Sequence, residues 1–192
     1  LKSLLEEKSN TTFSFLDVET TGLSCATKDK ICEIAILYGP INDQMIPWQT
    51  LLNPKCPIPP EVTRIHNITY EMVKDAPTFD QVAGKIVEII SNSIVICHNA
   101  SFDMGFLSTE LKACGRKMPQ IKIIDTLKIA RERFNFNSNA LGNIAVNLGI
   151  KSKDQHRALA DVHTTYEIFS YFLSVLSKTG VELNHLINPE KP

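Results

Sequence analysis

The first patterned stretch is Phe13-Ser-Phe-Leu-Asp-Val-Glu-Thr-Thr-Gly-Leu23, an apolar run that ends in two carboxylates and a turn. In a strand, side chains alternate between faces, so Phe13, Phe15, Asp17 and Glu19 share one face while Leu16 and Val18 take the other. Apolar residues on both faces predict a strand covered on both sides, as in the middle of an α/β sheet. Ile31–Tyr38 and Met45–Leu52 read as second and third strands, paired with the first as an antiparallel meander. Gly39-Pro40 ends the second. Pro54–Pro60 is too rich in proline for a regular element and is expected as an extended loop.

Helical spacing takes over downstream. Two short segments, Glu61–His66 and Tyr70–Val73, precede a longer helix capped by Asp75-Ala-Pro-Thr78, with Phe79, Val82, Ile86, Ile89 and Ile90 along one side. Ile94–Cys97 is a fully apolar run expected as a buried strand, followed by a helix with Phe102, Phe106, Leu107 and Leu111 on one side. Ile121–Ile124 reads as another buried strand. Asp125 is expected as the N-cap of the helix after it, and not as a metal ligand. Asn139 is expected to cap a helix over Ala140–Leu148 that stops at Gly149. A long last helix runs to about Leu176, a short one covers Val181–Ile187, and Leu1–Lys8 forms a short helix at the start. Three meander strands followed by alternating helices and strands predict an α/β fold with a central mixed five-stranded sheet flanked by helices.

The 192 residues suit one domain, with the motif-bearing part at about 12–177 and a short helix and tail over 178–192. Because the chain opens on Leu1 and not Met, it reads as trimmed or as a piece of something longer. The net charge of −1 does not advertise a protein that grips nucleic acid through many phosphate contacts, so any such binding would be to a short end. Lys112–Arg133 carries a basic excess, which reads equally as a solvated helical face or a substrate groove. The five cysteines are odd in number and contain no C-x-x-C pair, which suggests reduced thiols and a cytoplasmic protein. No run reaches membrane-spanning length, and the acidic start does not resemble a signal peptide.

Candidate chemistry gathers on four acids and one histidine. Asp17 and Glu19 stand side by side where a buried strand ends. They repel each other there unless the end is solvated or a divalent cation relieves them. Asp103, in the first turn of a helix after a buried strand, suits the helix dipole, and it also lies where ligands gather in α/β sheets. Asp161 heads a stripe of Ala158, Thr165, Ile168, Phe172 and Val175 that turns apolar, with no Lys or Arg on the stripe to pair with it. His156 lies on the loop before that helix, where an imidazole suits removal of a proton from metal-bound water. Acids without a His/Cys cluster or a glycine-rich phosphate loop favour Mg²⁺ or Mn²⁺ over zinc, and point to metal-dependent phosphodiester hydrolysis.

Asp17-Val-Glu-Thr-Thr-Gly-Leu23, His98-Asn-x-x-Phe-Asp103 and His156-x-Ala-x-x-Asp161 resemble the three motifs of the DEDDh 3′–5′ exonucleases. Within them the chain is most similar to the epsilon-type proofreading exonucleases of bacterial DNA polymerase III. Ile58-Pro-Pro-Glu, Ile65-His-Asn-Ile-Thr69 and Asp75-Ala-Pro-Thr-Phe79 are similar to segments that connect those motifs. The resemblance implies an RNase H-like fold and two metal ions held by Asp17, Glu19, Asp103 and Asp161, with His156 as general base. It implies release of nucleoside 5′-monophosphates from DNA 3′ ends, single-stranded or frayed, and a replicative polymerase as a partner. It also implies a substrate pocket formed by Thr20, Thr21, Leu23, His66, His98, Asn99 and Phe102, with Leu23 wedged against the last base. Asn67 departs from the glycine that many such domains carry after the His66 position. Trimming of RNA 3′ ends, as in the RNase T and oligoribonuclease branch, stays open as an alternative. So does a nucleic-acid-binding module without catalysis.

Overall fold

A computed structural model describes residues 11–26, 28–41, 43–151 and 156–187. The expected helix at Leu1–Lys8 and the last residues of the tail lie outside that range. Strands β1 (Thr12–Thr20), β2 (Ile31–Pro40), β3 (Ile46–Leu51), β4 (Ser93–Cys97) and β5 (Lys122–Asp125) form one sheet in the order β3-β2-β1-β4-β5. β1, β2 and β3 are an antiparallel meander, and β4 and β5 add in parallel beside β1. This is the mixed five-stranded sheet that the alternation predicts.

The helices are α1 (Pro60–His66), α2 (Tyr70–Val73), α3 (Phe79–Ser91), α4 (Ala100–Ala113), α5 (Thr126–Arg133), α6 (Leu141–Leu148) and α7 (Ala158–Leu176). Two short 3₁₀ turns, Ser177–Thr179 and Leu183–His185, follow α7, where one short helix was expected. The two faces of β1 separate as the period of two requires. Phe13 and Phe15 pack with Ile144, Ile168, Phe169 and Phe172 of α6 and α7. Leu16 and Val18 face Ile86 and Ile90 of α3 and Phe106, Leu107 and Leu111 of α4. The sheet is therefore sheathed on both sides.

The start of α6 differs from expectation. Its N-cap is Ala140, with no side-chain cap bond, and Asn139 does not cap it. The backbone carbonyl of Asn139 is instead bound to His98 Nε2 (2.9 Å), and Ser138 Oγ accepts from Ala140 N–H (3.4 Å) and Asn143 Nδ2 (2.8 Å). Gly149 ends the helix at φ 70°, as predicted.

The register decides where the acids go. Pairing of β1 with β4 covers only Thr12↔Ser93 to Phe15↔Ile96, whereas pairing with β2 continues to Thr20↔Ile31, with an irregularity between Glu19 and Thr20. The second half of β1 therefore outruns its parallel neighbour and leaves an open flank, filled from the side by α4.

Phe15 anchors the face beneath the acids, edge-on to Tyr166 (5.3 Å) and Phe169 (5.8 Å) and fully buried. Phe15→Ala is expected to lower the unfolding free energy by about 3–5 kcal/mol in urea denaturation. A loss below about 1 kcal/mol would mean that this packing does not anchor the sheet to α7.

Candidate active site

The open end of β1 gathers the acids. Carboxylate oxygens of Asp17, Glu19 and Asp161 lie within 4.8 Å of one another. Asp17 and Glu19 come from alternate positions of β1, and Asp161 from the first turn of α7. Asp103 is almost completely buried in the first turn of α4, and its Oδ1 accepts the N–H of Val18 (3.2 Å). That N–H lies beyond the β4 ladder, so the carboxylate replaces a missing strand partner and is drawn against the cluster. His156 sits exposed on the loop before α7, and its N–H donates to Asp161 Oδ2 (3.2 Å).

These acids resist ionisation together. Asp17 is held well above the usual carboxylate range by burial first, then by the charges of Asp103, Glu19, Asp161 and Glu33. Glu19 is pushed up to about 8 by burial, then by Asp161 and Glu33, against a lowering pull from Arg157. Burial also raises Asp103, opposed by backbone N–H donors, and raises Asp161, opposed by its bond from His156. A cluster of oxygen ligands with surplus negative charge is what a hard divalent cation neutralises. Asp17, Glu19 and Asp161 could hold one directly, with Asp103 beside Asp17. The residues present fit Mg²⁺ or Mn²⁺.

The turn after β1 is built from the inside. Thr20 Oγ1 donates to the Gly22 carbonyl (2.6 Å), while Thr21 bonds Lys30 twice, N–H to carbonyl (2.8 Å) and Oγ1 from the Lys30 N–H (3.0 Å). A side chain at position 22 would displace the Asp29 carboxylate, which accepts the Ser24 N–H (3.1 Å). Glu110 of α4 accepts the Ile31 N–H (3.4 Å) and pairs with Lys30 (3.5 Å), which pins the loop's far end. Leu23 is left 86% exposed at the tip.

The other residues expected to form a substrate pocket divide by exposure. Asn99 is exposed at φ 74° in the β4–α4 turn, and Phe102 is half-buried with its ring 5.0 Å from Phe106. His98 is half-buried; Nε2 donates to the Asn139 carbonyl, so Nδ1 accepts from the Thr126 hydroxyl (2.9 Å). His66 is only 1% exposed. Its Nδ1 accepts the Ile68 N–H (3.0 Å), which leaves Nε2 to donate to the Thr20 carbonyl (3.3 Å). Burial lowers the pKa of both histidines and favours the neutral rings these bonds require. Asn67 keeps the loop shape at φ 59°, because asparagine tolerates the left-handed region that a glycine would otherwise supply.

Three features escaped the sequence reading. Glu33, opposite Glu19 on β2, is buried and paired with Arg157. Asp125 caps α5 through the Leu127 N–H (2.9 Å) as predicted. It also takes the N–H groups of Asn99 (3.0 Å) and Ala100 (3.1 Å), which holds the turn that leads to Asp103. His66 acts from beneath the β1 turn. The alternating pattern marks Glu33 as facing the same way as Ala35, a buried position, and that was the available signal.

The family model of the RNase T exonucleases matches residues 14–169. A PolC-type DNA polymerase III of Clostridium perfringens is 34% identical over 86% of the chain, which spans 11% of that polymerase. The epsilon subunit of DNA polymerase III of Treponema pallidum is 31% identical over 92% of the chain and 84% of its own length. Among solved structures, E. coli exonuclease I in complex with a dT13 oligonucleotide superposes with a TM-score of 0.79 at 18% identity, over 89% of the chain and 43% of that protein. Exonuclease X in complex with 5′-overhanging duplex DNA gives 0.72 at 26% identity, over 91% and 96%. The five-stranded mixed sheet that carries this acidic cluster at the end of its central strand has the RNase H-like fold. The chain belongs to the RNase T exonuclease family.

The raised acids set a pH dependence for the metal-free protein. Folded Glu19 keeps its proton up to about 8, while the unfolded chain releases it near 4.5, so between these values the folded state binds more protons and stability falls as pH rises. In EDTA the melting temperature is expected to drop from about pH 5 to pH 8, and saturating Mn²⁺ to raise it more at the upper end. Asp17→Asn should raise the metal-free value at the upper end and shrink the Mn²⁺ shift. A flat melting temperature in EDTA across this window would contradict the crowding of charges.

Proposed function

We propose that the chain is a divalent-metal-dependent 3′–5′ exonuclease that releases nucleoside 5′-monophosphates from DNA 3′ ends, in proofreading or repair. The observation that carries this reading is the convergence of Asp17, Glu19 and Asp161 within 4.8 Å, with Asp103 buried beside them and His156 on the rim. Asp17, Glu19, Asp103 and Asp161 would hold Mg²⁺ or Mn²⁺, two ions per site. Such ions, when bound, supply Lewis acidity toward the scissile phosphate.

His156 serves as general base. It is exposed where water enters, and its backbone bond to Asp161 keeps the base beside the acids. Leu23 stands out from the turn and meets the last base, while Thr20 and Thr21 shape that turn beneath the terminal sugar. Asn99 and Phe102 offer an exposed amide and a half-buried ring as the facing wall. His98 and His66 have their ring nitrogens engaged within the protein, so their part in the pocket is to brace its walls at Asn139 and Thr20.

Relatives named as DNA polymerase III proteins support work alongside a replicative polymerase. The basic side chains Lys112, Arg116, Lys117, Lys122, Lys128, Arg131 and Arg133 are all exposed. A module without catalysis is disfavoured because all four acids and the histidine are present. Among the described residues no helix is long and apolar enough to cross a membrane.

A 5′-labelled single-stranded DNA oligonucleotide is expected to shorten from its 3′ end in Mg²⁺ or Mn²⁺, and not in EDTA or with a blocked 3′ end. Asp17→Ala should abolish release, and His156→Ala should slow it by about 10²–10⁴-fold. Wild-type rates in both variants, or shortening from the 5′ end, would overturn the reading. Faster initial release from an RNA oligomer of equal sequence would move the substrate to RNA, since the 2′-hydroxyl is what separates the two.

A further inference from the structure

Glu33 lies directly across from Glu19 in the β1–β2 register and is 3% exposed, one more carboxylate at an end already crowded with them. It does not point its oxygens at the cluster as a spare ligand. Arg157 Nη2 donates to Oε1 (2.7 Å), Nε donates to Oε2 (3.1 Å), and the Ala158 N–H donates to Oε2 (3.1 Å). A buried carboxylate that takes a guanidinium fork and a backbone N–H is well satisfied, and the fork fixes orientation as well as distance.

The partners of this carboxylate sit at the joint that carries two functional groups. Arg157 is the N-cap position of α7 and Ala158 its first residue, and the N-cap side chain makes no cap bond of its own. The N–H groups of a helix's first turn have no intrahelical partner. Glu33 therefore supplies the cap from the sheet. His156 precedes Arg157 at φ 64°, a left-handed conformation that a histidine keeps only when its surroundings hold it. Asp161 N–H closes the first helical turn on the Arg157 carbonyl (3.1 Å), and Asp161 Oδ2 returns a bond to the His156 N–H (3.2 Å). Loop, N-cap and first turn thus form one unit, and Glu33 is its tie to the strand paired with β1.

We propose that the Glu33–Arg157 pair is a positioning device that holds His156 and Asp161 in register with Asp17 and Glu19, and so contributes to turnover rather than to substrate affinity. This rests on the exonuclease reading for its kinetic consequence, and on the geometry alone for its structural one. Neither side chain touches substrate in this role. Both act through the residues that they place.

Arg157→Lys keeps the charge and loses the fork. In this variant kcat on a single-stranded DNA oligonucleotide is expected to fall at least about tenfold, with KM within about threefold of wild type. In a His156→Ala background the same change should cost little more, because a device that acts through His156 has less left to position. In the metal-free protein, hydrogen exchange at the Ala158 and Asp161 amides should quicken at least about tenfold, while Phe15 and Ile96 amides in the sheet stay protected. Glu33→Gln, which keeps the shape and weakens the pairing, should move all three readouts in the same direction. Wild-type kcat in both variants, a loss confined to KM, full additivity with His156→Ala, or equal quickening across the sheet would each overturn the proposal. If the wild-type protein releases no nucleotide, the exonuclease reading fails, and the exchange measurement still decides the clamp.

Discussion

Mutual repulsion among carboxylates at the end of β1 is the constraint to which the rest of the structure answers. Asp17 and Glu19 are brought together by strand alternation, Asp161 arrives on α7, and Asp103 is pulled in because Val18 N–H has no strand partner. Burial leaves each of them reluctant to ionise. The nearby guanidinium of Arg157 pairs with Glu33, and its pull on Glu19 leaves that carboxyl still raised. A divalent cation bound to these oxygens would neutralise that surplus negative charge.

The sheet edge makes the arrangement possible. Had β4 paired with β1 along its whole length, the Val18 N–H would be bonded in the ladder and Asp103 would have nothing to hold there. The short parallel pairing, ending at Phe15↔Ile96, frees the last turn of backbone for side-chain work. Around it, buried and half-buried polar groups brace the loops that carry the exposed ones. His66 holds the Thr20 carbonyl, His98 holds Asn139, Asp125 holds the Asn99–Ala100 turn, and Glu110 holds the base of the Leu23 loop. The rigid framework is polar and internal, and what it displays is Leu23, Asn99 and His156.

Much of this was legible in the sequence, and for identifiable reasons. Alternation at Phe13–Glu19 placed both aromatic residues and both acids on one face, and the structure keeps them there. Gly39-Pro40 marked the end of β2 and Gly149 the end of α6. Asp125 read correctly as a cap from its place before Thr126. What the sequence left hidden are contacts between residues distant in the chain. Glu33 meets Arg157 across a separation of 124 residues, and no local pattern announces that. Asn139 looked like a cap beside its helix, but the N-cap falls one residue later, at Ala140, and the Asn139 carbonyl is bound by His98 from 41 residues upstream. His66, expected at a substrate pocket, is buried and bonded to the Thr20 carbonyl from 46 residues away. Local rules describe elements well; the bracing between them becomes visible only once the sheet has brought its loops to one end.

The central claim is that the acids at the end of β1 form a divalent-cation site. The most direct test is a calorimetric titration of the metal-free protein with Mn²⁺, set beside the same titration of Asp17→Asn. Saturable binding of about two ions by the wild-type chain, weakened at least about tenfold by the substitution, is the predicted result. No saturable binding, or equal binding by both proteins, would contradict it.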